Sequence, residues 1–263
     1  MGALAPEASS AANAHQILGR AVHNLAELQA IPDLHQFLRP IVNRVISETF
    51  LRNSRHFPPR YLELEAQRLT NLVAEWLEYE RHRQPFTVAE TEVKREITIA
   101  GLTLRLRLDR IDEVADGSLV IDYKTGPVGP SAWEGDRPDD IQLPLYATFA
   151  VSESLEGLVF ARVRPGETQF TGRVRNPNTT LLADLSPSSA IARNPLNDQQ
   201  LDDWREKIEQ LGKDFLAGRA QVDPKDPRKT CKTCHLQAVC RIHERTTLLA
   251  DEDSEDEEGG TYA

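Results

Sequence analysis

The chain has 263 residues, of which 40% are hydrophobic and 27% are charged, enough for one large domain or two small ones. No apolar run approaches the roughly 18 residues of a transmembrane helix, and the first residues lack the basic start and apolar core of a signal peptide. The composition also excludes collagen-like, coiled-coil and wholly disordered proteins. We therefore expect a soluble cytoplasmic protein with no membrane partner.

The net charge of −10 is concentrated at the C-terminus, where seven of the last thirteen residues are acidic. Without these seven, the rest of the chain carries a net charge of −3, which neither requires nor excludes a polyanionic partner. Residues 246–263 are therefore predicted to form a disordered acidic tail.

The first part of the chain has a helical pattern. Residues 1–18 are Ala-rich and polar, which predicts a flexible lead, and residues 19–85 are predicted to be helical. Pro58-Pro59 separates two helices. Their apolar residues recur at helical spacing: Leu34, Phe37, Leu38, Ile41, Val42, Val45 and Ile46 in the first, and Leu62, Leu69, Leu72, Val73, Trp76 and Leu77 in the second.

The period changes after Pro85. In residues 102–108 (LTLRLRL) leucine alternates with Thr and Arg, which is typical of a strand. Turn signals at Ala100-Gly101 and Asp116-Gly117 join this strand to its neighbours, so a three-stranded meander ending at Lys124 is predicted.

Further elements follow the meander. We predict a helix from Ile141 to about Ser152, a strand over 158–163, a loop over 176–196 and an amphipathic helix from Asn197 to Gly218. No internal repeat is found.

Two carboxylates and one lysine are predicted to meet at one end of the meander. Asp122 and Lys124 are two residues apart in a strand, so they project to the same face, and strand pairing through the Asp116-Gly117 turn brings Asp109 towards them. Hard oxygen ligands suit Mg²⁺ or Mn²⁺, and a nearby Lys can orient a metal-bound water. The same spacing is also compatible with an ordinary surface ion pair.

The three cysteines, Cys231, Cys234 and Cys240, lie within ten residues. A tight, odd-numbered cluster favours metal ligation over a disulfide scaffold. His243 or His235 could complete a Cys3His zinc site, and unligated thiols are the remaining reading. Residues 221–245 are treated as a separate cysteine segment.

Five sequence segments, taken in order, resemble the PD-(D/E)xK nuclease superfamily, and specifically the RecB-like nuclease domain of AddB-type helicase–nucleases. They span residues 19–241. Residues 19–23 match the family's G-x-x-x-H pattern, and residues 108–112 match its G-R-I-D-R-I-D strand. Residues 121–126 match I-D-Y-K-[ST]-G, residues 142–147 match Q-L-x-L-Y-A, and residues 231–240 match its C-terminal cysteines. Leu106 departs from the pattern, since the family usually has Gly there.

The resemblance implies an α/β restriction-endonuclease-like core over residues 86–220, with a mixed sheet flanked by helices, a helical N-terminal part and a cysteine-bearing C-terminal segment. It implies that Asp109, Asp122, His23 and the backbone carbonyl of Tyr123 bind the metal and that Lys124 is catalytic. Supporting residues on a helix face directed at the metal would be Gln142 and Tyr146, which are four apart. Glu90 or Glu92 could also approach the metal.

The resemblance further implies a [4Fe–4S] cluster held by the three cysteines and a fourth one upstream of the G-x-x-x-H helix. This chain has no cysteine there. We therefore expect a fragment that begins just past that cysteine, with the cluster present in the intact parent and zinc as the alternative.

The predicted function is metal-dependent hydrolysis of DNA phosphodiesters, with Mg or Mn as cofactor and single-stranded DNA or DNA ends as substrate. A helicase portion or subunit and a role in recombinational repair are implied by the resemblance. Basic residues that could bind phosphates are concentrated before the site: Arg52, Arg55, Arg60, Arg81, Arg83, Lys94, Arg95, Arg105 and Arg107. Two alternatives are a non-catalytic DNA-binding or scaffolding module and a zinc-bound protein-interaction module.

Overall fold

The computed structural model describes residues 6–53, 57–126, 128–151, 154–177, 191, 194–232 and 234–242. The chain divides after Gly212 into two compact units, each described by itself. Among the described residues, no helix is long and apolar enough to cross a membrane. The predicted acidic tail and His243 lie outside the described residues.

Helix α1 (Pro6–Ala21) corrects the prediction of a flexible lead over residues 1–18. Its apolar residues Ala14, Ile17 and Leu18 are buried in the core, and their spacing of three and one is that of one helix face. The Ala-rich composition that looked unpatterned is compatible with a helix, because alanine has the highest helix propensity.

Three further helices complete the N-terminal layer: α2 (Leu25–Ala30), α3 (Leu34–Asn53) and α4 (Pro59–Glu80). The side chain of Asn24 caps α2 by accepting a hydrogen bond from the Glu27 amide. Pro59 occupies the first turn of α4, where its missing N–H costs nothing. The two helices predicted on either side of Pro58-Pro59 are confirmed.

The sheet of the described residues has five strands in the order β1-β2-β3-β4-β5. Their bounds are Thr87–Ile99, Leu102–Val114, Gly117–Lys124, Leu155–Arg162 and Gln169–Val174. The first three form the predicted antiparallel meander, β4 pairs with β3 in parallel, and β5 returns antiparallel to β4. A parallel pair requires a crossover, and residues 125–154 supply it.

Helices cover both faces of this sheet. On one face, α1, α3 and α4 pack against Leu119, Ile121 and Tyr123 of β3. The other face carries Val120 of β3 and Phe160 of β4, and it is covered by the crossover and α6 (Asp198–Leu216). The mixed sheet between helical layers confirms the predicted restriction-endonuclease-like α/β fold.

The crossover contains a short helix α5 (Gln142–Leu145) followed directly by a π-helical turn (Tyr146–Ala150). The sequence predicted one regular helix over this stretch, and the wider π turn is a difference from that prediction. Single π turns within helices are frequent at functional sites.

A fully buried ion network joins the end of α4 to β2. Arg83 and Arg110 bridge the carboxylates of Glu80 and Asp112, and Arg110 also donates to the Tyr123 hydroxyl at 3.0 Å. Burial opposes the charge of Arg110, but Asp112 and Glu80 outweigh it and raise its pKa. Because each charge has several partners, the network can be buried without leaving an isolated charge.

The second unit contains the cysteine segment, with two short helices, α7 (Pro227–Thr230) and α8 (Gln237–Cys240). Asp226 caps α7 by accepting from the amides of Arg228 and Lys229.

Candidate active site

The register of β2 and β3 brings Asp109 to Asp122. Arg110 pairs with Ile121, and continuing this register by one residue places Asp109 beside Asp122. The amide of Tyr123 donates to Asp109 Oδ2 at 3.0 Å, which fixes the Asp109 carboxylate at the end of β3. The two carboxylates predicted to converge do lie together.

Lys124 and Gln142 surround the carboxylate of Asp122. Lys124 Nζ lies 2.6 Å from Asp122 Oδ2 and donates to Gln142 Oε1 at 3.0 Å. The Gln142 amide nitrogen donates to Asp122 Oδ1 at 2.9 Å. The contact between Lys124 and Oδ2 is a close ion pair. Asp122 is 1% exposed, so it depends on these partners.

Tyr146 orients the Gln142 side chain. Its hydroxyl donates to the backbone carbonyl of Arg107 at 2.7 Å and therefore accepts from Gln142 Nε2, 2.9 Å away. Because the nitrogen is fixed by two acceptors, Gln142 Oε1 must face Lys124. Gln142 thus contacts both Asp122 and Lys124, and Tyr146 holds the Gln142 amide in place.

Burial raises the pKa of Asp122 to about 6, and Asp109 adds to this shift while Lys124 opposes it. At neutral pH the carboxylate is therefore ionised, but it is a stronger base than an exposed Asp. A buried carboxylate with a raised pKa beside a lysine is the kind of pair that marks a reactive site.

His15, which the sequence analysis did not single out, is the histidine that the structure brings to these carboxylates. Its Nδ1 lies 3.8 Å from Asp109 Oδ2, and its ring lies 5.2 Å from that of Tyr123. Burial lowers the pKa of His15, and Lys124 and Arg107 reinforce this against the opposing effect of Asp109. The imidazole is therefore neutral near pH 7 and keeps a lone pair for a ligand.

His23 lies elsewhere. It is the second residue after the end of α1, its side chain is exposed, and its carbonyl accepts from the Val88 amide at 2.7 Å. Val88 pairs with Asp112 of β2. Asp112 is three residues from Asp109, which is about 10 Å along the strand, and His23 lies beside Val88 at that distance. The structure thus does not bring His23 to the carboxylates.

Of the two glutamates considered, Glu92 is the one near Asp109. The pairs on either side, Thr91 with Arg110 and Val93 with Leu108, place it beside Asp109. Burial raises the pKa of Glu92, and Asp109 adds to the shift against the opposing effect of Arg107. Glu90 is instead held by Arg95 at 2.7 Å.

The donors at this site are suited to a divalent cation. The carboxylates of Asp109 and Asp122 are hard oxygen ligands, and His15 Nε2 is buried without a hydrogen-bond partner in the described part of the chain. Within the described ranges, however, no three His, Cys, Asp or Glu side chains are gathered closely enough to form a ready-made metal site. The residue types fit a metal, but the metal site itself stays a prediction.

The cysteines do not form a site in the described part of the second unit. Cys231 is buried, and Cys234 and Cys240 are partly buried. The thiol of Cys234 accepts from the Leu236 amide at 3.4 Å, and that of Cys240 donates to the Gln237 carbonyl at 3.7 Å. An iron–sulfur cluster therefore receives no support from the structure.

Six of the nine predicted basic residues take part in ion pairs. Arg81 and Arg83 pair with carboxylates at the end of α4. The other four form partly or largely exposed pairs: Arg60 with Glu63, Arg95 with Glu90, Arg105 with Glu96 and Arg107 with Glu92. Lys94 is exposed. Arg55 and the side chain of Arg52 are not among those described.

Comparison with known proteins identifies the family. The model of the PD-(D/E)XK nuclease superfamily matches residues 2–241. No match is found among curated protein sequences. A solved structure, "Crystal structure of SSO0001", is 16% identical over 91% of this chain and 98% of that chain, with a TM-score of 0.33. Since the family's model covers nearly the whole chain, the protein belongs to the PD-(D/E)XK nuclease superfamily.

Proposed function

We propose that this protein is a metal-dependent deoxyribonuclease that hydrolyses DNA phosphodiester bonds with Mg²⁺ or Mn²⁺. The observation that supports this best is the cluster of Asp109, Asp122, Lys124 and Gln142, in which a buried carboxylate, a lysine and an orienting amide meet beside a second carboxylate. A surface ion pair, the other reading of the sequence, would not be buried or carry an amide that contacts both partners.

In this proposal Asp109, Asp122 and His15 hold the metal, and the carbonyl of Tyr123 is a further ligand. When bound, the metal lowers the pKa of a coordinated water and neutralises charge on the scissile phosphate. Asp122 binds it as the ionised carboxylate, which predominates above its pKa of about 6. The neutral imidazole of His15 supplies a nitrogen lone pair.

Lys124 is the catalytic residue of the proposal. Its ammonium is held between Asp122 Oδ2 and Gln142 Oε1, which leaves a third N–H free to donate to the attacking water or to a phosphate oxygen. Its side chain is 27% exposed, so substrate can reach it. Gln142 and Tyr146 do not react, but they fix the position of the ammonium.

The test is cleavage of labelled single- and double-stranded DNA with Mg²⁺ or Mn²⁺ by the wild type, Lys124→Ala and Lys213→Ala. Lys213 is an exposed lysine in α6 and serves as the matched control. Metal-dependent cleavage by the wild type and the control, with loss in Lys124→Ala, is expected. Equal cleavage by all three proteins would place the active site elsewhere, and binding without cleavage would favour the non-catalytic DNA-binding module.

The RecB-like subtype, a helicase partner and a role in recombinational repair rest on the order of the five sequence motifs. We propose that the domain trims DNA delivered by a helicase. Stimulation of cleavage on a blunt duplex by an added ATP-dependent helicase, with no effect of ATP alone, is the expected result.

The three cysteines are proposed, from their spacing alone, to bind iron or zinc. Measurement of iron, zinc and acid-labile sulfide per mole of purified chain distinguishes a cluster from zinc and from free thiols. Iron with equimolar sulfide indicates a cluster, and zinc without sulfide indicates a Cys3His site.

A further inference from the structure

Within the described ranges, packing rather than hydrogen bonding holds the imidazole of His15. Its Nδ1 lies 3.8 Å from Asp109 Oδ2, which is too far for a hydrogen bond. Its Nε2 is buried without a hydrogen-bond partner in the same part of the chain. The ring of Tyr123 lies against the imidazole, with the two ring centroids 5.2 Å apart and the planes inclined by 37°. The orientation of His15 therefore depends on the position of the Tyr123 ring.

The hydroxyl of Tyr123 is fixed in turn by the buried ion network. It accepts from Arg110 Nη1 at 3.0 Å, and the same nitrogen donates to Glu80 at 3.1 Å. The guanidinium also donates to both carboxylate oxygens of Asp112. Because Arg110 is 2% exposed and held by two carboxylates, it is a fixed donor to the hydroxyl, and a hydrogen bond from a charged donor is a strong one.

Tyr123 contacts the proposed metal site from the opposite side of the sheet to its neighbours in β3. Successive residues of a strand point to alternate faces, so the side chain of Tyr123 points away from those of Asp122 and Lys124. It packs on the face that α1 covers, where it meets His15. Its amide donates to Asp109 Oδ2, the oxygen that His15 faces. The ring can therefore influence the site through His15.

We propose that the side chain of Tyr123 is a positioning residue, which holds the His15 imidazole towards Asp109 so that the two can share a divalent cation. The resemblance gives Tyr123 a role through its backbone carbonyl alone, and the side chain has this second one. Groups that orient a metal ligand commonly change metal affinity by about 10- to 100-fold. The proposal rests on the proposed metal-dependent function and specifies what orients one of its ligands.

The test measures Mn²⁺ binding to the DNA-free protein by isothermal titration. Tyr123→Leu removes the ring and should weaken binding about 10-fold, whereas Tyr123→Phe keeps the ring and should weaken it less than about 3-fold. The matched control is Tyr79→Leu, at a partly buried tyrosine of α4 whose ring packs on Trp76 and Phe170, and it should change the affinity less than about 2-fold. In the His15→Ala background, Tyr123→Leu should have no further effect, because the ring acts through His15.

NMR of the His15 imidazole tests the positioning in the absence of metal. The ring protons of His15, assigned by their absence in His15→Ala, should show NOEs to the ring protons of Tyr123 in the wild type. Their signals should move in Tyr123→Leu, which removes the ring current, and stay nearly unchanged in Tyr79→Leu. The wild-type NOE needs no variant, so it decides the matter even where Tyr123→Leu fails to fold.

Equal losses of Mn²⁺ affinity in Tyr123→Leu and Tyr79→Leu would overturn the proposal. A further loss from Tyr123→Leu in the His15→Ala background, or the absence of the NOE, would also overturn it. If the wild type binds no Mn²⁺ although the NOE and the change in shift are present, the metal-dependent function fails while the positioning of His15 by Tyr123 stands.

Discussion

His15 Nδ1 lies 3.8 Å from Asp109 Oδ2, although His15 is 94 residues away in the chain and eight residues from the histidine that the family pattern marks. The contact exists because α1 packs with Ile17 and Leu18 in the core, which directs the preceding turn of the helix to Asp109 in the middle of β2. A neutral, mostly buried imidazole beside a carboxylate needs a partner for its second nitrogen.

We predict that His15→Ala weakens Mn²⁺ binding and lowers kcat/KM at sub-saturating metal at least about 10-fold. His23→Ala, at an exposed position, should change the Mn²⁺ affinity and kcat/KM less than 2-fold. Isothermal titration with Mn²⁺ and DNA cleavage measure the two effects. The opposite ranking of the two variants would restore His23, the residue predicted from the sequence.

Asp122→Asn should abolish cleavage and yet stabilise the metal-free protein. The pKa of Asp122 rises from 3.8 to about 6 on folding, so the folded state binds the proton more tightly than the unfolded state. Stability contributed by the protonated form is therefore lost as pH rises between about 4 and 6. The neutral Asn side chain does not undergo this loss. We therefore expect Asp122→Asn to raise the free energy of unfolding by roughly 1–2 kcal/mol at pH 8, less than the full pKa shift implies because Lys124 loses its ion-pair partner.

Urea unfolding of the wild type and Asp122→Asn in EDTA, at pH 4 and pH 8, tests this. The gain in unfolding free energy should be present at pH 8 and small at pH 4, because at pH 4 the wild-type carboxyl is protonated in the folded state and only partly ionised in the unfolded state. A variant that is less stable than the wild type at pH 8 would mean that Asp122 is an ordinary structural ion-pair partner.

The pH dependence of cleavage should follow the same carboxyl group. Only ionised Asp122 can bind the metal, so kcat/KM at low Mg²⁺ is expected to rise with pH through about 6. Because the metal competes with the proton, a higher Mg²⁺ concentration should shift this limb to lower pH. A limb whose midpoint is unaffected by Mg²⁺ would exclude Asp122 as the titrating ligand.

Local sequence patterns predicted the centre of this fold well. The alternation of Leu and Arg over 102–108 and the turn at Asp116-Gly117 fix the hairpin register, and that register alone brings Asp109 to Asp122. Gln142 and Tyr146 were also predictable, since four-residue spacing places them on one face of any helical turn.

The features that sequence reasoning missed depend on distant packing. His15 is at the site because of where α1 docks, and α1 itself was hidden by an Ala-rich composition without strong periodicity. Strand β5 was missed because Gly172 weakens its strand pattern, although a side chain there would collide with the Leu158 carbonyl of β4. The buried role of Arg110 depends on Glu80, 30 residues earlier.

Tyr146→Phe should reduce cleavage with little loss of fold. The substitution removes the hydroxyl that accepts from Gln142 and donates to Arg107, so the Gln142 amide can rotate and Lys124 loses its fixed acceptor. We expect kcat to fall about 10-fold and the free energy of unfolding to fall by about 1–3 kcal/mol, the net value of two hydrogen bonds. The double variant Gln142→Ala/Tyr146→Phe should have the same kcat as Gln142→Ala alone, because Tyr146 acts on Lys124 through Gln142. Additive losses of kcat would contradict this.

The buried ion network reaches Arg110, the residue after Asp109 in β2. Asp112→Leu leaves Arg83 and Arg110 buried with one carboxylate, Glu80, between them, and we expect it to cost about 3–5 kcal/mol of unfolding free energy. Arg60→Met, which breaks the exposed pair with Glu63, should cost less than about 1 kcal/mol. Denaturant unfolding of both variants measures the difference. Equal losses of unfolding free energy in the two variants would mean that water reaches the network. The position of the Tyr123 hydroxyl, which accepts from Arg110, would then not depend on the network's carboxylates.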